Sequence, residues 1–178
     1  MEQMEEVHQV NEEMGDDFHV LAGTEMDIKA DGTMDYPDEI LEKLDFVIAS
    51  LHVSLQQSRE KTTQRLLNAI HNPHVDMIGH PSARQIPNRE PVNADWDAVF
   101  KAAVEHDTIL EINANPIRLD LKPELARLAK DMGNLLAINT DAHNESHLDL
   151  MDFGIMSARR AWIEPKHIVN TWSFEKFC

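Results

Sequence analysis

Glu25, His52, His80 and Asp141 each stand at the end of an apolar run, and His143 follows Asp141 by two residues. Carboxylate and neutral imidazole are the usual ligands of catalytic zinc, manganese or iron, and a catalytic site keeps at least one coordination position open to water. The steps from Glu25 to His52, His52 to His80, His80 to Glu111 and Glu111 to Asp141 are 27, 28, 31 and 30 residues. That is about 30 residues each, the length of one strand-plus-helix unit. Parallel strands in repeated βα units end on one face, where ligands bind. The pattern therefore reads as a metal site laid out along a barrel, one polar group per unit. Asp141 and His143 point to one side if the strand runs through them; by the same period of two, Glu25 and Asp27 compete, and spacing does not choose between them. His8, His19, His71, His74, His106, His147 and His167 have no repeating position and read as ordinary surface or packing residues.

These ligands need strands behind them. Asp45 to Leu51 is a continuous apolar run ending at His52, Val75 to Gly79 ends at His80, Thr108 to Asn113 carries Glu111, and Leu135 to Asn139 stops just before Asp141. Such runs resemble buried parallel strands, which lack clean alternation because helices cover them. In a fifth run, Phe18 to Ile28, Gly23 interrupts and signals a bulge or a close backbone approach. Between the strands, Pro37 to Leu44 opens with proline in its first turn, and Ser58 caps a segment reaching about Asn72. Asp95 to Glu105 and Pro123 to Met132 follow the same rule, with Gly133 as a stop, and a further helix is expected within Leu148 to Ala161 around Gly154. Alternating β and α elements predict a parallel α/β fold.

The chain has 178 residues, 42% of them hydrophobic, and no long Gly, Ser or Pro tract; it reads as one domain over residues 1–178. Cys178 is the single cysteine, so no internal disulfide can form, and the acidic start from Met1 to Glu13 is unlike a signal peptide. No apolar stretch approaches the roughly 20 residues that cross a bilayer, so a cytoplasmic protein is expected. A formal charge of −16 repels phosphate backbones at long range. Any nucleic acid must be admitted locally, with bound cations or a neighbouring basic domain offsetting the charge.

Gly-Thr-Glu-Met-Asp-Ile at 23–28, Ala-Ser-Leu-His at 49–52, Ile-Gly-His-Pro at 78–81, Glu-Ile-Asn-Ala-Asn-Pro at 111–116, Asn-Thr-Asp-Ala-His at 139–143 and Ala-Arg-Arg-Ala-Trp at 158–162 together resemble the PHP (polymerase and histidinol phosphatase) domain. The nearest likeness is to the C-terminal PHP domain of bacterial and archaeal family X DNA polymerases, from about Glu5 onward. The resemblance implies a distorted (β/α)7 barrel with up to three metals on its C-terminal face, and metal-dependent phosphoesterase chemistry, in those polymerases a 3′ to 5′ exonuclease. It selects Glu25 over Asp27 as a bridging carboxylate that completes one metal position with His52 and His80. Asp141 would serve a second metal and His143 a third. PHP domains open with a His-x-His strand and a second histidine-bearing strand, and neither precedes Glu25. The resemblance thus implies an N-terminally truncated, incomplete barrel of about five parallel strands, with zinc or manganese held weakly and activity reduced in an isolated chain.

Arg84 and Arg118 follow strand-end motifs and have the fork geometry to clamp phosphate, against the plain alternative of surface salt bridges. Asn113 and Asn115 could position water or substrate, although asparagine is also common in loops for local backbone bonding. Three functions compete. A phosphoesterase would shorten a DNA 3′ end, a histidinol-phosphate-type phosphatase would release phosphate from a small molecule, and a non-catalytic assembly module would do neither with any divalent metal. Without the first two barrel strands, the first and last strands each keep an unpaired edge beside apolar core, which invites pairing with another copy. A homo-oligomer, with the Met1 to Met14 helix covering a neighbour's open side, is the expected outcome of sedimentation at micromolar concentration, and a compact monomer is the contrary one.

Overall fold

The computed structural model describes residues 2–15 and 18–177; Cys178 lies outside the described residues. A first helix, α1 (Glu2–Met14), precedes β1 (Gly23–Asp27), α2 (Asp38–Leu41), β2 (Phe46–Ser50), α3 (Arg59–Ile70), β3 (Met77–Gly79), α4 (Trp96–Glu105), β4 (Ile109–Asn113), α5 (Pro123–Asp131) and β5 (Leu136–Asn139). A 3-10 turn at Glu145–Leu150 leads into α6 (Met151–Arg160), and two more, Pro165–His167 and Val169–Thr171, lead to α7 (Phe174–Phe177). The five strands are parallel and lie in chain order, β1-β2-β3-β4-β5, in one sheet that does not close. This is the α/β class and the open five-stranded arrangement that the sequence predicts.

The local signals act much as expected. The Ser58 hydroxyl accepts from Lys61 N and the Asp95 carboxylate from Ala98 N, capping α3 and α4. Pro123 occupies the first turn of α5, and Gly133, at φ 95°, takes the left-handed conformation just past its end. Three boundaries differ. The Phe18 to Ile28 run becomes strand only from Gly23, where a side chain would bring its Cβ within 2.6 Å of the Phe46 carbonyl oxygen; the glycine marks close approach of β2. Pro37 caps α2 from outside its first turn, and α2 spans only four residues. The expected helix around Gly154 is divided, with a 3-10 turn before α6.

Period-two alternation sorts each strand between two apolar layers. Val47, Ala49, Ile78, Leu110, Ile112, Leu136 and Ile138 face outward and pack under the helices with Leu66, Phe100 and Ala158. Met77, Ile109 and Ala137 face inward with Phe46 and Ile48, and are met there by Val169, Trp172 and Phe177. The C-terminal segment therefore roofs part of the inner face that the sequence leaves uncovered. Ile168 pairs in parallel with Leu136, and the Asn170 side chain bonds both N and O of Ile138 at 2.8 and 3.0 Å, so the outer edge of β5 is substantially occupied. β1 has no strand partner beyond β2 among the described residues. No helix there is long and apolar enough to cross a membrane.

At Gly154, α6 lies close against the sheet: a Cβ there would sit 2.8 Å from Ala114 Cβ and closer still to Ile138 Cγ2. Both are sheet-side groups with little freedom. Gly154→Ala is expected to destabilise the fold by about 1–3 kcal/mol through overpacking, despite the better helix propensity of alanine. Urea unfolding checks this as a lowered midpoint at unchanged m-value.

Candidate metal centre

The inward positions change from apolar at the strand starts to polar at their C-terminal ends. Glu25 lies on β1, His52 two residues beyond β2, and His80 one residue beyond β3. Their ligand atoms all lie within 4.8 Å of one another. Glu25 Oε1 is 3.4 Å from His52 Nε2 and 3.0 Å from His80 Nε2, close to the separation of about 3.4 Å expected between ligands on a tetrahedral ion with bonds near 2.0–2.1 Å. His80 is buried, and neither of its ring nitrogens has an aligned hydrogen-bond partner. A buried ring nitrogen and a carboxylate oxygen set together without an aligned hydrogen bond are a pair that a cation between them would satisfy. Glu25 and His52 are more open, so the cluster meets solvent on one side.

Asp27 resolves the ambiguity at Glu25 by taking a different place. Its Oδ1 is 2.5 Å from His52 Nδ1, so it orients the imidazole from behind while Nε2 faces Glu25, the arrangement in which a carboxylate fixes the tautomer of a metal-binding histidine. Electrostatics follow this geometry. His52 and then His80 hold the Glu25 carboxyl far below the usual carboxylate range, against the opposing effect of burial. His52 is pushed up, mainly by Glu25 and then, against desolvation, by Asp27.

Asp141 and His143 do not join this cluster. Asp141 accepts from Arg118 Nε at 3.2 Å and from Asn113 Nδ2 at 3.2 Å. His143 is largely exposed, with Nδ1 2.8 Å from the Asp141 carbonyl oxygen. Both nevertheless line the cavity of about 710 Å³ that also contains Glu25, His80 and Glu111 and has Phe46, Met77 and Trp172 in its apolar walls. Arg118 keeps Nη1 buried without a partner, a donor directed at no protein group. Arg84 is differently engaged: Nε donates to the Arg118 carbonyl at 2.7 Å and Nη2 to that of Leu119. Asn115 accepts from Ile117 N at 3.2 Å, a local loop bond.

Glu111, Asn139 and Asp120 are the residues that sequence reasoning left without a role. The first two are inward-facing by period two from Ile109 and Ala137, a signal present in the chain. Glu111 accepts from His80 N at 2.5 Å, from Asn113 Nδ2 at 3.2 Å and from Asn139 Nδ2 at 3.2 Å. Asp120 accepts from Ser82 N at 3.2 Å and, through its carbonyl, from Asn113 N. Burial raises the pKa of both carboxyls.

A scan against protein-family models returned no match. Relatives are nonetheless clear. The chain is 43% identical over 174 residues to the DNA polymerase/3′-5′ exonuclease PolX of Bacillus subtilis strain 168, a match that takes in 98% of this chain and 30% of PolX. It is 35% identical over 162 residues to a protein named as a probable phosphatase in Thermoanaerobacter sp. strain X514, across 85% of this chain and 64% of the other. The chain thus spans under a third of the first relative and just under two thirds of the second. The crystal structure of histidinol phosphate phosphatase from Lactococcus lactis, solved with zinc, L-histidinol and phosphate, shares the fold with a TM-score of 0.64 at 19% identity, over 92% of this chain and 74% of that one. With its ordered strand-end motifs, the chain is homologous to the 3′-5′ exonuclease (PHP) region of PolX and to the probable phosphatases.

The unequal completeness of the candidate ligands sets a measurable order. His52→Ala is expected to remove more bound zinc than His143→Ala, because His52 shares a three-residue cluster with Glu25 and His80, whereas His143 has only Asp141 Oδ1, at 3.6 Å. Metal analysis after equilibrium dialysis checks this; equal losses would contradict the assignment.

Proposed function

We propose that this chain is a metal-dependent phosphoesterase whose working centre is Glu25, His52 and His80, with a DNA 3′ end as the substrate class. The observation that carries this reading is the buried His80, whose Nε2 lies 3.0 Å from Glu25 Oε1 without an aligned hydrogen bond, at the C-terminal end of a parallel sheet. A divalent cation there, zinc or manganese, would supply Lewis-acid chemistry, lowering the pKa of water and polarising a phosphoryl oxygen.

The protein's own groups then have separable tasks. Glu25, His52 and His80 hold the cation, and Asp27 keeps the His52 tautomer with its lone pair on Nε2. Arg118, fixed through Nε on Asp141 and with Nη1 buried beside no protein acceptor, would donate to a phosphoryl oxygen only where the substrate opens the site to it. Asn113 aligns Asp141, where a further cation would bind together with His143. Arg84 and Asn115 act at one remove, holding the loop that carries Arg118. With a net charge of −16, a duplex is repelled at long range, so the DNA end is best delivered by a basic domain such as the polymerase part of a longer polypeptide. Association with a second copy, expected from the open sheet, remains part of this proposal at the β1 edge.

The cavity of about 710 Å³ also favours a second reading, a small-molecule phosphatase of the histidinol-phosphate type, because its volume suits a compact ligand. Purified protein stripped of metal is expected to hydrolyse a 3′-labelled oligonucleotide slowly after adding manganese or zinc, and to lose that activity with His80→Ala. Phosphate release from histidinol phosphate with an intact oligonucleotide would favour the second reading. Undiminished turnover in the stripped protein would overturn both.

A further inference from the structure

We propose that Glu111 is the positioning residue of the metal centre, fixing the buried ligand His80 directly and the Asp141 carboxylate through Asn113. This rests on the metal-centre reading above. Glu111 is not itself among the atoms that can converge on an ion. Its side chain lies on the inner face of β4, the residue being only 4% exposed, and no Lys, Arg or His pairs with it among the described residues.

Three donors converge on it from three strand ends. Oε2 accepts the His80 backbone N–H at 2.5 Å and Asn113 Nδ2 at 3.2 Å, and Oε1 accepts Asn139 Nδ2 at 3.2 Å. An ionised carboxylate is acceptor-only at both oxygens, which matches a site presenting only N–H groups. Glutamine is nearly the same size, but one of its two terminal atoms carries donors. In this pocket at least one N–H group would then face another.

The backbone shows why the His80 bond matters. His80 has φ 27° and Asp141 φ 54°, left-handed conformations that residues other than glycine adopt rarely and that persist only when neighbours impose them. The His80 ring makes no aligned hydrogen bond of its own, so its direction depends on the backbone that carries it. Glu111 holds that backbone by its N–H, and the His80 carbonyl accepts Ala83 N at 2.8 Å. On the other side, Asn113 gives the same amide group to Glu111 and to Asp141 Oδ2, at 3.2 Å each. One carboxylate thus ties both unusual turns to β4.

The test compares zinc affinity, by competition with a chromophoric chelator, in the full chain and in Glu111→Gln and Glu111→Asp. Aspartate keeps the acceptor chemistry but withdraws it by one methylene from His80 N, so it guards against a glutamine variant that does not fold. Cobalt substitution and its visible absorption report ligand geometry independently of turnover, and urea unfolding of the metal-free protein reports the fold. Zinc binding weakened about 10- to 100-fold in both variants, the usual range for outer-shell partners, with an altered cobalt spectrum and a metal-free protein that still unfolds cooperatively, is the expected result. Wild-type zinc affinity in both variants would overturn the inference and leave the metal centre standing. Loss of zinc only in step with loss of the folded metal-free protein would make Glu111 a structural residue and also overturn it. No zinc or manganese binding by the wild type would overturn the metal-centre reading itself.

Discussion

Side chains on a β-strand alternate between two faces, and in this sheet the outward face is already committed to helix packing. The chemical groups carried by the strands therefore come from inward positions, two residues apart, while His80, one residue beyond β3, enters by a left-handed turn at φ 27°. Along β4 these are Ile109, Glu111 and Asn113; along β5 and beyond they are Ala137, Asn139 and Asp141. The apolar member of each series sits low, against Trp172 and Phe177, and the polar members rise toward the C-terminal rim. Gly79 is part of the same pattern. A Cβ there would lie 2.5 Å from Ser50 Oγ and 2.8 Å from Ile48 Cγ2, so its absence lets the β2 side chains pack beside the site.

The rim is acidic in a way that differs from the acidic surface. Most of the 32 Asp and Glu residues can be solvated, whereas Glu111 and Asp120 are buried and served only by neutral N–H groups and Asn amides. Buried carboxylates without counter-charge are costly. The nearest places where positive charge could accumulate are the cavity with the Glu25, His52 and His80 atoms and the Arg118 side chain on Asp141. A site with this balance is suited to a cation.

Much of this was legible in the chain. The four runs Asp45 to Leu51, Val75 to Gly79, Thr108 to Asn113 and Leu135 to Asn139 each hold a strand, because a buried parallel strand has to be apolar on consecutive positions. Glu25, His52 and His80 do meet, since strands that run parallel in chain order place their ends side by side. What spacing could not separate were groups of the same type on the same face. Asp27 lies two residues from Glu25, as eligible by periodicity, and only the position of the His52 ring turns it into the partner of Nδ1. Arg84 and Arg118 looked alike as loop arginines, yet one spends its donors on carbonyls and the other keeps one free. Glu111 marked a step in the spacing without a role, because its role depends on donors from β3 and β5 that no local pattern announces. The roof formed by residues 168–177 was equally invisible; it depends on tertiary packing of Trp172 and Phe177.

The three converging ligands belong to three consecutive units, with 27 and 28 residues between neighbours, while the residues that brace them lie on β4 and after β5. Closing loops of that size costs little entropy, and contacts near in sequence tend to form early. The proposed cation-holding group would thus belong to the first half of the chain, with the second half bracing it through the His80 amide that Glu111 accepts. Any rearrangement that slid β4 by one residue would turn Glu111 to the helix side and leave three ligands near one another but unaimed. On the metal-centre proposal, the register of β4, a strand with no ligand in that cluster, would decide how well the three groups are aimed.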